Sequence, residues 1–239
     1  MSKTLLITGA NRGIGFEMTK QAAARGDQVI ACARNVMAAP DLVTLAHDNS
    51  TISLLGLDVT AEADMKQIAA DMNRKIDILV CNAGVLNAYG GLEDPEHHSR
   101  AIESVLMTNI AGVFFTARSF LPHLLKPING DRHPSGMTGK IAVISSIMGS
   151  QKRASSNAPI YRASKAAATN IARTLAVELA PRGIAVGAYH PGWVRTDMGG
   201  DAADVAPVDS AAGLLERFDV LDLAATGIYE SYRGEALPF

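Results

Sequence analysis

Cysteine, aromatic side chains and an excess of charge of either sign are scarce in this sequence, and each scarcity removes a class of protein. The 239 residues contain 2 cysteines, Cys32 and Cys81. They are too few for a disulfide framework and too far apart for a C-x-x-C redox motif, and each closes an apolar run, as buried thiols do. Lysine and arginine number 22 against 24 aspartate and glutamate, a formal net charge of -2. Such a balance provides no basic surface for nucleic acid or an anionic membrane, and neither partner is expected. The 6 histidines have no H-E-x-x-H or comparable spacing, so no metal site is expected. No run approaches the roughly 18 apolar residues of a membrane span, and the apolar start is cut short by glycines, so a cytoplasmic location is expected. Aromatic residues are 5% of the chain while hydrophobic residues reach 48%, a composition able to bury an aliphatic core.

That apolar content is delivered in short, continuous runs: TLLIT (4–8), QVIACA (28–33), TISLLGL (51–57), IDILVCN (76–82), KIAVISS (140–146) and IAVGAYH (184–190). Continuous rather than alternating runs of this length fit strands covered on both faces. Helical patterns at 13–25, 61–73, 101–125 and 160–180 lie between them. Strand and helix in alternation predict one α/β domain over 1–239, a doubly wound parallel sheet with right-handed crossovers and helices on both faces. The segment NVMAAPDLVTLAHDN after the second strand reads as a short helix broken by Pro40, and KPINGDRHPSGMTG (126–139) as a turn-rich surface loop.

An open parallel sheet binds ligands beyond the carboxyl ends of its strands. The first strand ends in TGANRGIG, with Gly9, Gly13 and Gly15 ahead of a helix opening near Ile14. Glycines there permit positive φ and a close backbone approach to a pyrophosphate, whose charge a helix N-terminus favours. About twenty residues on, where an acid commonly holds a ribose 2′-hydroxyl, the chain places Arg34. A guanidinium suits a 2′-phosphate, and Arg12 adds a second cation, so NADP(H) is favoured over NAD(H). Asp58 can accept from an adenine amino group. Asn82, Ala83 and Gly84 let backbone approach the adenosine ribose, and Asn82 can equally bridge neighbouring strands, two roles that are compatible.

In APIYRASKAAATN (158–170), Tyr161 and Lys165 are four apart and share a helix face. Ala168, Ala172, Leu175 and Leu179 continue that face as an apolar stripe, which turns the pair inward. Arg162, Thr169 and Arg173 then mark the solvent side, and Ala166, Ala167, Asn170 and Thr174 a small-residue face fit for close helix packing. An ammonium beside a phenol favours phenolate and lowers the phenol toward working pH, which suits a proton donor and acceptor for hydride transfer. Either Ser145 or Ser146 can hold the carbonyl oxygen.

Taken together, TGANRGIG, LDVT, CNAG, TNIAG, ISSIMG, YRASK and HPGWVRTDM resemble the short-chain dehydrogenase/reductase family over nearly the whole chain, most closely its C-factor-like and sniffer-like carbonyl reductases. The resemblance implies a Rossmann-type sheet of about seven strands and a catalytic set of Asn109, Ser146, Tyr161 and Lys165. Tyr161 would be the general acid or base and Ser146 would orient the substrate oxygen. Lys165 would bind the nicotinamide ribose and tune Tyr161, and Asn109 would hold a relay water. The cofactor would lie along Gly9, Asn11, Arg12, Gly13, Ile14 and Gly15, along Arg34, Asp58 and Val59, and along Asn82, Ala83 and Gly84. Pro191 and Gly192 would line the nicotinamide, with Val194 and Thr196 at its carboxamide. Ser146 and Tyr161 are fifteen positions apart, about two more than the family's habit, which leaves Ser145 and Ser150 as alternative partners. The stretch from Thr196 to Pro207 is too short for a large substrate lid, so an open pocket is expected. The implied activity is NADPH-dependent interconversion of carbonyls and secondary alcohols by a homodimer or homotetramer packed through helices 101–125 and 160–180. The alternative is a dinucleotide-binding signalling or regulatory protein with little or no turnover.

Overall fold

The computed structural model describes residues 2–126 and 136–239; most of the stretch read as a surface loop at 126–139 lies outside the described residues. In chain order the elements are β1 (Thr4–Thr8), α1 (Gly13–Ala24), β2 (Gln28–Ala33), α2 (Pro40–Asp48), β3 (Ile52–Gly56), α3 (Glu62–Asp71) and β4 (Ile78–Cys81). Then come α4 (Ser99–Leu106), α5 (Gly112–Leu124), β5 (Gly139–Ile144), α6 (Pro159–Leu179), β6 (Ile184–His190), α7 (Pro207–Val220) and β7 (Tyr229–Ser231). The seven strands form one sheet in the order β3-β2-β1-β4-β5-β6-β7, every pairing parallel. This is the Rossmann-type arrangement, and the order reverses between β1 and β4, which opens a crevice at their carboxyl ends.

Alternate residues of each strand feed two separate cores, which is why the runs are continuous. Leu6, Leu79, Ile141 and Val186 pack against α3, α5 and α6, whereas Leu5, Val80, Ala142 and Tyr189 pack against α1, α2 and α7. Burying each such Leu or Ile contributes about 1.5–3 kcal/mol. Both Cys32 and Cys81 are buried free thiols in the first core.

Four features depart from the sequence reading. Pro40 starts α2 rather than breaking it, because the first helical position has no use for an N–H. The seventh strand is only Tyr229–Ser231, too short to show as an apolar run. Ser145 and Ser146 lie just past the end of β5. Helix Ser99–Leu124 is apolar enough, at a mean hydropathy of 1.3, to match a membrane span by length and composition. Its Phe120 and Leu124 are fully buried against the sheet, while Leu106 and Phe114 are exposed. That helix passes through a π-turn at Met107–Ala111 between α4 and α5, widening it where Asn109 sits.

Candidate active site

The turn after β1 is built by close approach. Gly9 and Gly13 have φ of +66° and +56°, and a Cβ on Gly15 would stand 2.2 Å from the Gly9 carbonyl oxygen. Thr8 Oγ1 accepts from the backbone N–H groups of Asn82 (3.0 Å) and Ala83 (3.1 Å). Asn82 Nδ2 donates back to the carbonyls of Thr8 (2.9 Å) and Gly9 (3.2 Å). Asn82 thus bridges the neighbouring strand ends, and it also lines the cleft with Ala83 and Gly84. Thr8 was not singled out from sequence, since a threonine closing a strand carries no signal of its own. Helix α1 opens with no side chain capping its N-terminus, so its first N–H groups face the cleft unspent.

The cleft has a volume of about 810 Å³. It is lined by Gly9, Asn11, Arg12, Gly13, Ile14, Gly15, Arg34, Asp58, Val59, Asn82, Ala83, Gly84, Tyr161, Pro191 and Thr196. Gly192, Val194, Asn109, Ser146 and Lys165 lie outside that lining, while Ser145 is part of it. Arg34 is exposed at the end of β2. Asp58 Oδ1 already accepts from the Thr60 N–H (2.9 Å) and hydroxyl (2.7 Å), which fixes its carboxylate at the cleft wall. Arg12 is committed elsewhere: its Nη1 is 2.5 Å from Asp197 Oδ2, an exposed ion pair between two loops that border the cleft. Sequence reasoning missed Asp197, although it directly follows Thr196; nothing local links it to a residue 185 positions away.

Tyr161 and Lys165 lie one turn apart on α6, both buried, as the stripe through Ala168, Ala172, Leu175 and Leu179 requires. The Lys165 ammonium is 5.7 Å from the Tyr161 ring centroid and donates to the Ile144 carbonyl at 2.8 Å. Burial pushes the Lys165 ammonium down to about 8. Burial also pushes the Tyr161 phenol up to about 12, against an opposing hydrogen bond with Ser146. The lowered phenol expected from the lysine's proximity is thus not what the chain alone presents, because desolvation is the larger effect.

The two serines separate cleanly. Ser145 Oγ is buried, 2.6 Å from Thr169 Oγ1 and donating to the Lys165 carbonyl at 3.1 Å, so it fastens the end of β5 to α6. Thr169, expected on the solvent side, is 4% exposed for this reason. Ser146 Oγ instead accepts from the Met148 N–H at 3.2 Å and meets Tyr161. Its main-chain carbonyl is held by the Tyr229 hydroxyl at 2.6 Å. The third candidate, Ser150, is buried at the end of a short 3₁₀ turn, Ile147–Gly149.

Asn109 is fully buried. Its Oδ1 accepts from Val85 N (2.9 Å), and its Nδ2 donates to Val85 O (2.9 Å) and Ser164 Oγ (3.0 Å). A Cβ on Gly84 would lie 3.3 Å from Lys165 Nζ and 3.4 Å from Asn109 Oδ1, so these three residues meet at one point. Among the described residues, Tyr161 lines the cleft, and Ser146, Lys165 and Asn109 lie behind that lining, close to it.

Comparison with known proteins places this geometry in context. The family model described as short chain dehydrogenase matches residues 3–205. C-signal of Myxococcus xanthus is 32% identical over 165 residues, 69% of this chain and 93% of that protein. Among solved structures, the carbonyl reductase Sniffer of D. melanogaster has a TM-score of 0.89 at 28% identity, with 100% of both chains covered. An NADPH-bound carbonyl reductase from chicken fatty liver has a TM-score of 0.88 at 28% identity, covering 100% of this chain and 99% of that one.

Proposed function

The chain belongs to the short chain dehydrogenase family, and from that premise we propose that it is an NADPH-dependent oxidoreductase. It transfers a hydride between the nicotinamide and a carbonyl or secondary alcohol, with Tyr161 as general acid and base. The observation that carries the proposal is the buried Tyr161 and Lys165 pair, with the ammonium 5.7 Å from the ring, at the wall of a glycine-lined cleft of about 810 Å³. The glycines that line the cleft and the uncapped α1 N-terminus beside them support a dinucleotide pyrophosphate as its occupant.

When bound, the cofactor supplies or accepts the hydride. The chain supplies the proton and the positioning. Held up to about 12, Tyr161 is a neutral phenol throughout the physiological range, the form that can give a proton to an alkoxide developing on a carbonyl oxygen. Ser146 Oγ accepts from Met148 N and its hydroxyl meets Tyr161, which places it to orient that oxygen beside the phenol. Lys165 spends one of its three ammonium donors on Ile144 O, leaving two for a ribose. Asn109 locks the Val85 backbone to Ser164 of α6, which keeps the cofactor wall and the catalytic helix in register.

Arg34 supports the preference for NADPH, since its exposed guanidinium stands at the adenosine end of the cleft. A 2′-phosphate reaching for Arg12 would have to compete with Asp197. One charge-assisted contact is worth about 1.5–3 kcal/mol, so Arg34→Ala is expected to reduce the NADPH-over-NADH ratio of kcat/KM roughly ten- to hundred-fold. An unchanged ratio would contradict the assignment. The similarity to C-signal favours a second reading, a dinucleotide-binding signalling protein with little turnover. The complete set of Asn109, Ser146, Tyr161 and Lys165 supports the enzyme.

A further inference from the structure

Arg162 follows Tyr161 by one position, about 100° further round α6, so it looks away from the cleft. Its periodicity says solvent, yet its guanidinium is half-buried under the segment that joins Ser146 to α6. Nε donates to the Asn157 carbonyl at 2.9 Å, with Asn157 Oδ1 at 3.3 Å. Nη1 donates to the carbonyls of Arg153 (3.0 Å) and Met148 (3.3 Å), and Nη2 to Asn157 Oδ1 (3.0 Å). One planar fork thereby gathers acceptors from the start, middle and end of a single loop.

The ends of that loop are fixed independently. At its start, the Met148 N–H donates to Ser146 Oγ, and a Cβ on Gly149 would stand 2.7 Å from the Ala166 nitrogen, so the chain lies directly on α6. At its end, Ala158 has φ 48° and ψ 49°, a left-handed backbone that residues other than glycine seldom adopt. Its N–H is shared by the Tyr89 and Gly90 carbonyls at 2.9 Å each. Between these points residues 151–156 are exposed and have little apolar burial to hold them. Arg153 projects over the ends of β6 and β7: alongside burial its charge helps hold His190 down to about 4. Against the burial that pushes Tyr229 up to about 12, it pulls the other way.

We propose that Arg162 is a positioning residue, whose guanidinium fixes the Met148–Asn157 loop beside Ser146, referenced to the same helix that carries Tyr161. The proposal builds on the carbonyl-reducing function given above. Met148 is the link, since its N–H contacts the Ser146 hydroxyl and its carbonyl contacts Arg162. Losing the fork frees a loop that begins two residues from the group orienting the substrate oxygen, while the cofactor half of the cleft is untouched.

Trypsin supplies a readout independent of turnover. Lys152 and Arg153 are exposed cleavage sites, and the Arg153 carbonyl that the protease must attack is bonded to Arg162. Wild type, R162A and R162K are compared by mass spectrometry of cuts after Lys152 and Arg153, by NADPH titration, and by steady-state reduction of a carbonyl panel. R162A is expected to be cut about ten-fold faster or more at these bonds. Its KM for the carbonyl is expected to rise by a similar factor, with kcat and NADPH affinity within about two-fold of wild type. R162K, which keeps the charge without the fork, is expected to fall between, and it decides the matter if R162A does not fold. Loop cleavage at the wild-type rate would overturn the proposal, as would an unchanged carbonyl KM. If wild type reduces nothing in the panel, the proposed function fails, and the cleavage ratio still decides whether Arg162 holds the loop.

Discussion

Replacing Ser145 and Ser146 one at a time by alanine separates a structural hydroxyl from a reacting one. Ser145 Oγ makes two buried contacts, to Thr169 Oγ1 and to the Lys165 carbonyl. Without it, Thr169 still donates to that carbonyl at 3.0 Å, so no donor is orphaned, and the loss is that of a net hydrogen bond, about 1–1.5 kcal/mol. In a chain of this length that corresponds to roughly 2–6 °C in Tm. Ser146 Oγ caps only the Met148 N–H at 3.2 Å, worth under about 1 kcal/mol, yet it is the hydroxyl that meets Tyr161. A donor preorganised toward a reacting oxygen contributes roughly 10²–10³ in kcat. Ser145→Ala should therefore lower Tm while keeping kcat/KM within about three-fold. Ser146→Ala should lose about 100-fold or more in kcat while binding NADPH normally and melting close to wild type. Differential scanning fluorimetry and NADPH oxidation on the same preparations measure both axes. The reverse pattern, or equal catalytic losses, would refute the assignment of the two serines.

Two further predictions concern the cofactor turn and the buried lysine. Alanine in place of glycine inside a helix ordinarily stabilises by up to about 1 kcal/mol. Gly15→Ala should instead destabilise by about 1–3 kcal/mol and weaken NADPH at least about ten-fold, because its Cβ would lie 2.2 Å from the Gly9 oxygen and 2.6 Å from Asn82 Nδ2. Thermal melts with and without NADPH check this, and a more stable variant with full affinity would refute it. The pH profile of carbonyl-reducing kcat/KM should hold at neutral pH and fall as pH rises through about 8. There the free chain's Lys165 loses its proton, while Tyr161 keeps its own to about 12. An alkaline limb beginning only near pH 10 would contradict the role given to Lys165.

The architecture and the glycine turn at the cleft were legible because both rest on local pattern. Six two-sided strands announce themselves as continuous runs, and Gly9, Gly13 and Gly15 mark a turn whose geometry only glycine allows. The inward stripe on α6 was equally legible, since a helix face follows from spacing alone. What escaped depends on contacts between distant segments. Periodicity assigned Thr169 and Arg162 to solvent, yet Ser145 covers one and the 148–157 loop the other. Asp197 meets Arg12 only after the chain has crossed the sheet, and Tyr229 reaches Ser146 from a three-residue strand with no apolar signature. Ser145 and Ser146 are adjacent and chemically identical; the extended backbone at Ser146 lets one hydroxyl meet Thr169 and the other Tyr161, about two turns apart on α6.

The central claim is that a buried phenol on α6 delivers the proton while the glycine-lined cleft holds NADPH. Its most direct test is single-turnover oxidation of bound NADPH by a carbonyl panel, comparing wild type with Tyr161→Phe. The expected result is NADPH binding of equal strength in both proteins, with reduction by the wild type and a rate at least about 100-fold lower in the variant. Equal turnover by both proteins would contradict the account, as would tight NADPH binding by a wild type that reduces no carbonyl.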